Sequence, residues 1–185
     1  DILVFNATWF IKEPRTDAIT AWHQDATYFG LTPHEHVSAW VALSPATRAS
    51  GCMEMLPGSS GWGQLHHAPQ ILPNSINAGA QAIVAPLDTS RVAFTPLEPG
   101  QFSLHHTLVV HQSQPNRSDD RRIGLGISYI PTRVRHTGSM RMPAMLVRGE
   151  DRYGHFDLEA KPVAGGEADC AAAHADSYRR YRAGY

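Results

Sequence analysis

His23-Gln24-Asp25 carries the clearest chemical potential in the 185-residue chain. In an extended strand, side chains i and i+2 share a face. His23 and Asp25 then reach one ion together while Gln24 points the other way. Such a pair needs a third ligand from a distant strand. Two His and one carboxylate on one side of a metal leave the opposite positions open, an arrangement suited to Fe(II) oxygen chemistry. His111 is the leading candidate for the third ligand: apolar Leu108-Val109-Val110 precedes it, and Ser113 follows on the same face. His105 has the parity of His111 and, with His106, is its rival.

Arg121 to Ile130 (RRIGLGISYI) alternates clearly. Ile123, Leu125, Ile127 and Tyr129 form its apolar side, and Arg122, Gly124, Gly126 and Ser128 form the other. The second face is a poor core face and reads as a site wall. Gly lets a ligand approach the backbone, and Arg grips a carboxylate with a two-pronged fork. An anionic organic cosubstrate beside the metal fits this face.

The elements that must position these residues are short strands cut by Pro and Gly, as in an all-β sandwich or barrel. Strand candidates are 2–11, 22–29, 37–43, 51–56, 94–97, 101–113 (one long strand or a pair) and 121–130. Residues 59–90 read as a long insertion with some helix around 75–85, a length that suggests a functional loop or lid. Pro115 to Asp120 is a turn by composition. After Pro131 the chain is basic and loop-like, and Glu167 to Arg182 has helical composition. No strand–helix alternation supports an α/β fold.

Hydrophobic residues make up 42 % and the net charge is −1. The first excludes wholesale disorder, and the second argues against a basic nucleic-acid-binding face. No apolar run approaches the ~20 residues of a membrane span. Cys52 and Cys170 allow at most one disulfide, so a reducing, cytoplasmic setting is the expectation. Histidine is abundant, at 11 residues. His34-Glu35-His36 follows Pro33 and reads as surface. His66-His67 is a candidate for a lid, Trp9 and Trp62 for core, and Cys52 for a small buried hydrophobe.

Trp22-His23-Gln24-Asp25, Ser38-Ala39-Trp40-Val41-Ala42-Leu43, Gly51-Cys52-Met53 with Pro57-Gly58-Ser59, and His111-x-Ser113-x-Pro115-Asn116 with Arg122 eleven residues after His111 occur in this order. In this set the sequence resembles the phytanoyl-CoA dioxygenase family of Fe(II)- and 2-oxoglutarate-dependent oxygenases. The resemblance implies a double-stranded β-helix (jelly roll, cupin-like) with a C-terminal helical tail, forming a single domain over 1–185 that lacks the family's N-terminal portion. It implies His23, Asp25 and His111 as iron ligands, Arg122 on the distal carboxylate of 2-oxoglutarate with Ser113 assisting, and Trp40 lining that pocket. Asn6 and Thr8 lie on a strand that contributes cosubstrate contacts. Fe(II), 2-oxoglutarate and O2 are the implied cofactors, with release of succinate and CO2 and hydroxylation or another oxidation of a small-molecule C–H. Relatives that halogenate replace the carboxylate at position 25, so Asp25 favours hydroxylation. Ser60 departs from the family's usual His. The alternatives are a cupin-like metal-binding protein without oxygenase turnover, and a metal enzyme on the same barrel that uses no cosubstrate. Arg122 with Ser113 discriminates against the first, because a mere metal binder needs no dicarboxylate anchor.

Overall fold

The computed structural model describes residues 1–69, 72, 74–77 and 81–183. The chain runs β1 (Ile2–Lys12), β2 (Thr20–His23), α1 (Ala26–Phe29), β3 (Leu31–Thr32), β4 (Val37–Ala42) and β5 (Met53–Met55). A 3-10 turn, Ser59–Trp62, leads to β6 (His67–Pro69), β7 (Gln81–Ile83), β8 (Ala93–Thr95), β9 (Phe102–His106) and β10 (His111–Ser113). Then follow β11 (Arg122–Pro131), β12 (Arg135–His136), β13 (Pro143–Arg148), β14 (Asp157–Leu158) and α2 (Glu167–Ala183).

A six-stranded sheet, β14-β13-β1-β11-β4-β9, is accompanied by a four-stranded sheet, β2-β10-β5-β8. The shared order is the signature of the jelly roll: β1, β11, β4 and β9 in one sheet correspond to β2, β10, β5 and β8 in the other. Each matched pair is consecutive in the chain, so every short loop carries the chain from one sheet to the other. β-Branched and aromatic residues in β1 suit a pleated surface. Trp40, Ala42, Cys52 and Met53 form one buried cluster, and Leu56, Ile83 and Val110 another. Leu3, Ile130, Val134, Met142 and Phe156 pack a third beside β13. No helix among the described residues is long and apolar enough to cross a membrane.

Several expectations change. The second strand ends at His23; residues 26–29 are helix. The 101–113 region is two strands in different sheets. The helix expected around 75–85 is absent among the described residues there: Gln81–Ile83 is a strand paired with His67–Pro69, and 78–80 lie outside the described residues. Beyond Pro131 three strands form where a loop was expected.

Trp9 is 60 % exposed and Trp62 50 %, so neither is core. The cause at Trp9 is the sheet's parity. Trp9, Leu125, Val41 and Phe102 align across four strands on the face away from the second sheet. The apolar side of β11 therefore points outward, and its Arg/Gly/Ser side faces the interior.

Candidate metal centre

β2 delivers His23 and β10 delivers His111, directly opposite each other in antiparallel register. Asp25 is not on a strand. It is the N-cap of α1, in helical backbone conformation, so the turn after β2 folds its carboxylate back toward His23. His23 and Asp25 do come together, but through this turn and not through the shared face of a strand. His23 Nε2 and His111 Nε2 each lie 3.6 Å from Asp25 Oδ1. Ligand atoms of all three residues fall within 4.8 Å of one another, a group that could hold a metal ion.

The ring orientations are set by the backbone. His23 Nδ1 lies 2.8 Å from the Ala21 carbonyl and His111 Nδ1 lies 3.0 Å from that of Val109. Donating Nδ1–H there leaves Nε2 as the free lone pair, the tautomer that a metal requires. Asp25 is oriented in the same way. Ser38 Oγ donates to Oδ2, and His105 Nε2 stands 3.3 Å from the same oxygen, leaving Oδ1 toward the two ligand histidines. His105 therefore lies behind the carboxylate. His106 falls on the outward parity, where its Nδ1 accepts the Leu108 N–H.

Charge follows the same design. Burial alone raises the Asp25 pKa, but His111, His105 and His23 outweigh it and hold the carboxyl well below its ordinary range. Burial, then His23, pulls His111 down to about 3. A carboxylate and a neutral imidazole are the forms that bind a metal.

The pocket that holds these ligands has a volume of about 90 Å³, and Thr20, Trp40, Ser113 and Arg122 also line it. Arg122 is 2 % exposed, and burial draws it down to about 10. One of its prongs, Nη1, donates to the Gly51 carbonyl, and the guanidinium lies 5.3 Å from the Trp40 ring. Its Nε is buried without a partner. An unsatisfied buried donor is costly, and a carboxylate entering this pocket would satisfy it. Ser113 is engaged: its hydroxyl accepts from Lys12 Nζ at 2.7 Å and donates to Thr20 Oγ1 at 3.1 Å. Asn6 and Thr8 line the same pocket, hydrogen-bonded to each other at 2.8 Å. Asn6 pairs with Ser128, which pairs with Ser38. Asn6 thus sits level with the metal cluster, six residues along β1 from the Lys12↔Arg122 pair.

The glycines act differently from the expectation. A Cβ on Gly124 would meet Trp40 Cζ2 at 2.0 Å, and one on Gly126 would meet Phe10 Cε2 at 2.6 Å. They make room for two aromatic rings that wall the pocket, not for ligand contact with backbone. Gly124→Ala should therefore expel the Trp40 indole and cost about 1–3 kcal/mol, the usual range for overpacking. Denaturant melts should show the loss and tryptophan emission the displacement; wild-type stability would sink the argument.

Three contributors were not visible as such in the sequence. Thr20 and His23 are three apart, so strand alternation separates them. An irregularity in the β2–β10 register, between the His111↔His23 and Ser113↔Thr20 pairs, brings both to the pocket. Ser38 was detectable by its shared parity with Trp40. Lys12 gave no signal, because a strand-end lysine ordinarily faces solvent. Here it is 1 % exposed and donates to the Ser113 and Gln114 carbonyls and the Ser113 hydroxyl.

Burial first, then Arg122, draws Lys12 down to about 7, with Glu54 opposing. Unfolded lysine holds its proton to about pH 10.4. Between these values the unfolded chain binds more protons, so stability rises with pH. From pH 7 to 8, wild type should gain at most about 1.4 kcal/mol per unit from this group. Lys12→Met should flatten that slope in thermal melts. An unchanged slope would assign it elsewhere.

Other expectations divide. His36 is buried, not surface: it is 1 % exposed, stands 3.1 Å from Ser38 Oγ and is drawn down to about 4 by burial. His34 is exposed. His67 Nε2 accepts the Gln24 N–H at 3.0 Å, supporting the ligand turn. Cys52 is 2 % exposed, as expected.

A jelly roll with two imidazoles and one carboxylate converging on its interior places the chain among the mononuclear non-haem metal proteins. Within that class it belongs to the phytanoyl-CoA dioxygenase family, whose family model matches residues 2–124. The non-haem monooxygenase ThoJ, solved without ligand, is 32 % identical with a TM-score of 0.86, over 98 % of this chain and 66 % of that one. EvdO2 of Micromonospora carbonacea, solved with 2-oxoglutarate, is 26 % identical with a TM-score of 0.55, over 66 % of this chain and 51 % of its own. A 1-deoxypentalenic acid 11-beta-hydroxylase of Streptomyces arenae is 31 % identical over 128 residues, 66 % of this chain and 43 % of its own. The chain spans less than half the length of the curated relatives it matches.

Proposed function

We propose that the chain carries the active site of an Fe(II)- and 2-oxoglutarate-dependent dioxygenase that hydroxylates a C–H bond of a small-molecule substrate. The observation that carries this reading is the buried Arg122, with its unpartnered Nε, in the same pocket as His23, Asp25 and His111. A metal site alone needs no buried cation behind it. Membership of the family supports the reading, as does the 2-oxoglutarate complex of EvdO2.

His23 and His111 would present Nε2 to Fe(II), and Asp25 would present Oδ1. Ser38 and His105 hold Asp25 Oδ2, which leaves Oδ1 as the oxygen turned toward His23 and His111. Arg122 would pair with the distal carboxylate of 2-oxoglutarate, with Thr20 and Ser113 beside it. Trp40 and Phe10 give the pocket apolar walls. A bound Fe(II)/2-oxoglutarate pair supplies the oxidation, in which R–H, O2 and 2-oxoglutarate give R–OH, succinate and CO2. Anaerobic addition of Fe(II) and then 2-oxoglutarate should produce a visible charge-transfer band, and admission of O2 should release succinate. Iron binding with neither signal would leave a metal-binding protein.

A further inference from the structure

A second cavity, of about 1010 Å³, opens beside the metal pocket. The metal pocket, at about 90 Å³, is far below the ~300–1,000 Å³ of ordinary ligand sites. A five-carbon dicarboxylate would leave it no room for a substrate body. We propose that the substrate's body occupies the second cavity, and that the substrate is a large, mainly apolar molecule presenting its target carbon to the metal across Asn6 and Thr8. This rests on the reading of the His23–Asp25–His111 pocket as the active site.

Continuity is the first argument. Asn6 and Thr8 line both cavities, and Asn6 is level with Ser38, which holds Asp25. These two residues of β1 form the wall that the cavities share. Their amide and hydroxyl offer hydrogen bonds at that shared wall.

The second argument is how the cavity is built. β13 pairs with β1 only from Ile2 to Val4, and a register irregularity follows between Val4 and Asn6. Along Phe5 to Trp9 the edge of β1 has no strand neighbour on that side among the described residues. α2 stands there instead, with no buried residue. Its C-terminal half is tethered: Arg180 pairs with Asp157 at 2.5 Å, Ser177 donates to Glu159 at 2.6 Å, and Tyr181 packs on the core beside Phe156. Its first half, with Cys170, Ala173 and His174, lines the cavity.

The lining sets the ligand class. Phe5, Met142, Met145, Val163 and Tyr178 supply apolar, adaptable surface. Glu159 and Asp169 outnumber Lys161, so the wall offers no net positive charge to an anionic group. Three arginines beyond Pro131 are paired on the outside: Arg133 with Glu35, Arg141 with Asp157 and Arg152 with Glu150.

The test uses the apolar dye 8-anilinonaphthalene-1-sulfonate on the full chain under anaerobic Fe(II) and 2-oxoglutarate. Three forms are compared with wild type. Ala173→Trp narrows the cavity. Leu104→Glu breaks up the exposed outer sheet face, where Leu104 is 62 % exposed. N-Ethylmaleimide modifies exposed Cys170 in wild type while Cys52 stays buried, placing a bulky group in the cavity wall without a folding risk. Expected is at least tenfold weaker dye binding in Ala173→Trp and in the alkylated protein, with Leu104→Glu unchanged. The charge-transfer band should persist in all three. Absence of dye binding by wild type, unaltered binding after both cavity blocks, or loss on Leu104→Glu each overturns the proposal. Cavity-dependent dye binding without any charge-transfer band in wild type instead overturns the active-site reading and leaves a binding cavity.

Discussion

His111→Ala should reduce Fe(II) affinity by more than a thousandfold, whereas His105→Ala should cost only about 10–100-fold. The two histidines face the same carboxylate from different sides. His111 Nε2 approaches Asp25 Oδ1, the oxygen that His23 also faces; His105 Nε2 approaches Oδ2. Loss of His111 removes one of three donors. Loss of His105 removes a group that orients a donor, for which 10–100-fold is typical. Fe(II) titration under anaerobic conditions measures both, with circular dichroism confirming that each variant is folded. If His105→Ala proves the more damaging, the ligand set is wrong and the rival third ligand is right.

Arg122→Ala should weaken 2-oxoglutarate binding by about 100-fold while leaving Fe(II) affinity within a few fold. Hydrogen bonds to a charged partner contribute about 1.5–3 kcal/mol, and about 1.4 kcal/mol is tenfold in affinity. Arg122→Lys should restore little, since an ammonium retains the charge but not the fork. The Gly51 carbonyl also loses its donor in either variant, so some stability loss is expected in both. That loss does not distinguish anchor from prop. The split between an intact metal titration and a displaced 2-oxoglutarate titration does. Equal weakening of both ligands would mean that Arg122 merely holds the pocket's shape.

The sequence by itself determined which side chains are available for metal chemistry. His-x-Asp, a downstream His on an apolar strand, and an Arg on a Gly/Ser face were legible because ligand types and strand parity are local properties. The turns at Pro57-Gly58 and Pro115 to Asp120 were legible for the same reason. Parity also separated Arg122, Gly124 and Ser128 from Ile123 and Leu125, although it left open which face would be covered. That was decided by the second sheet, which packs over the polar face of β11 and leaves Trp9, Phe102 and Leu104 outside.

Only the tertiary structure decided the rest, because each remaining feature depends on elements distant in sequence. Asp25 faces the metal cluster through a helix cap. Thr20 reaches the pocket through a register irregularity against β10. His36 and Lys12 are buried because strands more than sixty residues away fold over them. His105 and His111 share strand parity, and their separation onto Oδ2 and Oδ1 of Asp25 required the chain to cross between sheets at Thr107–Val110. Local pattern specifies which groups are available; sheet-to-sheet closure specifies which of their atoms meet.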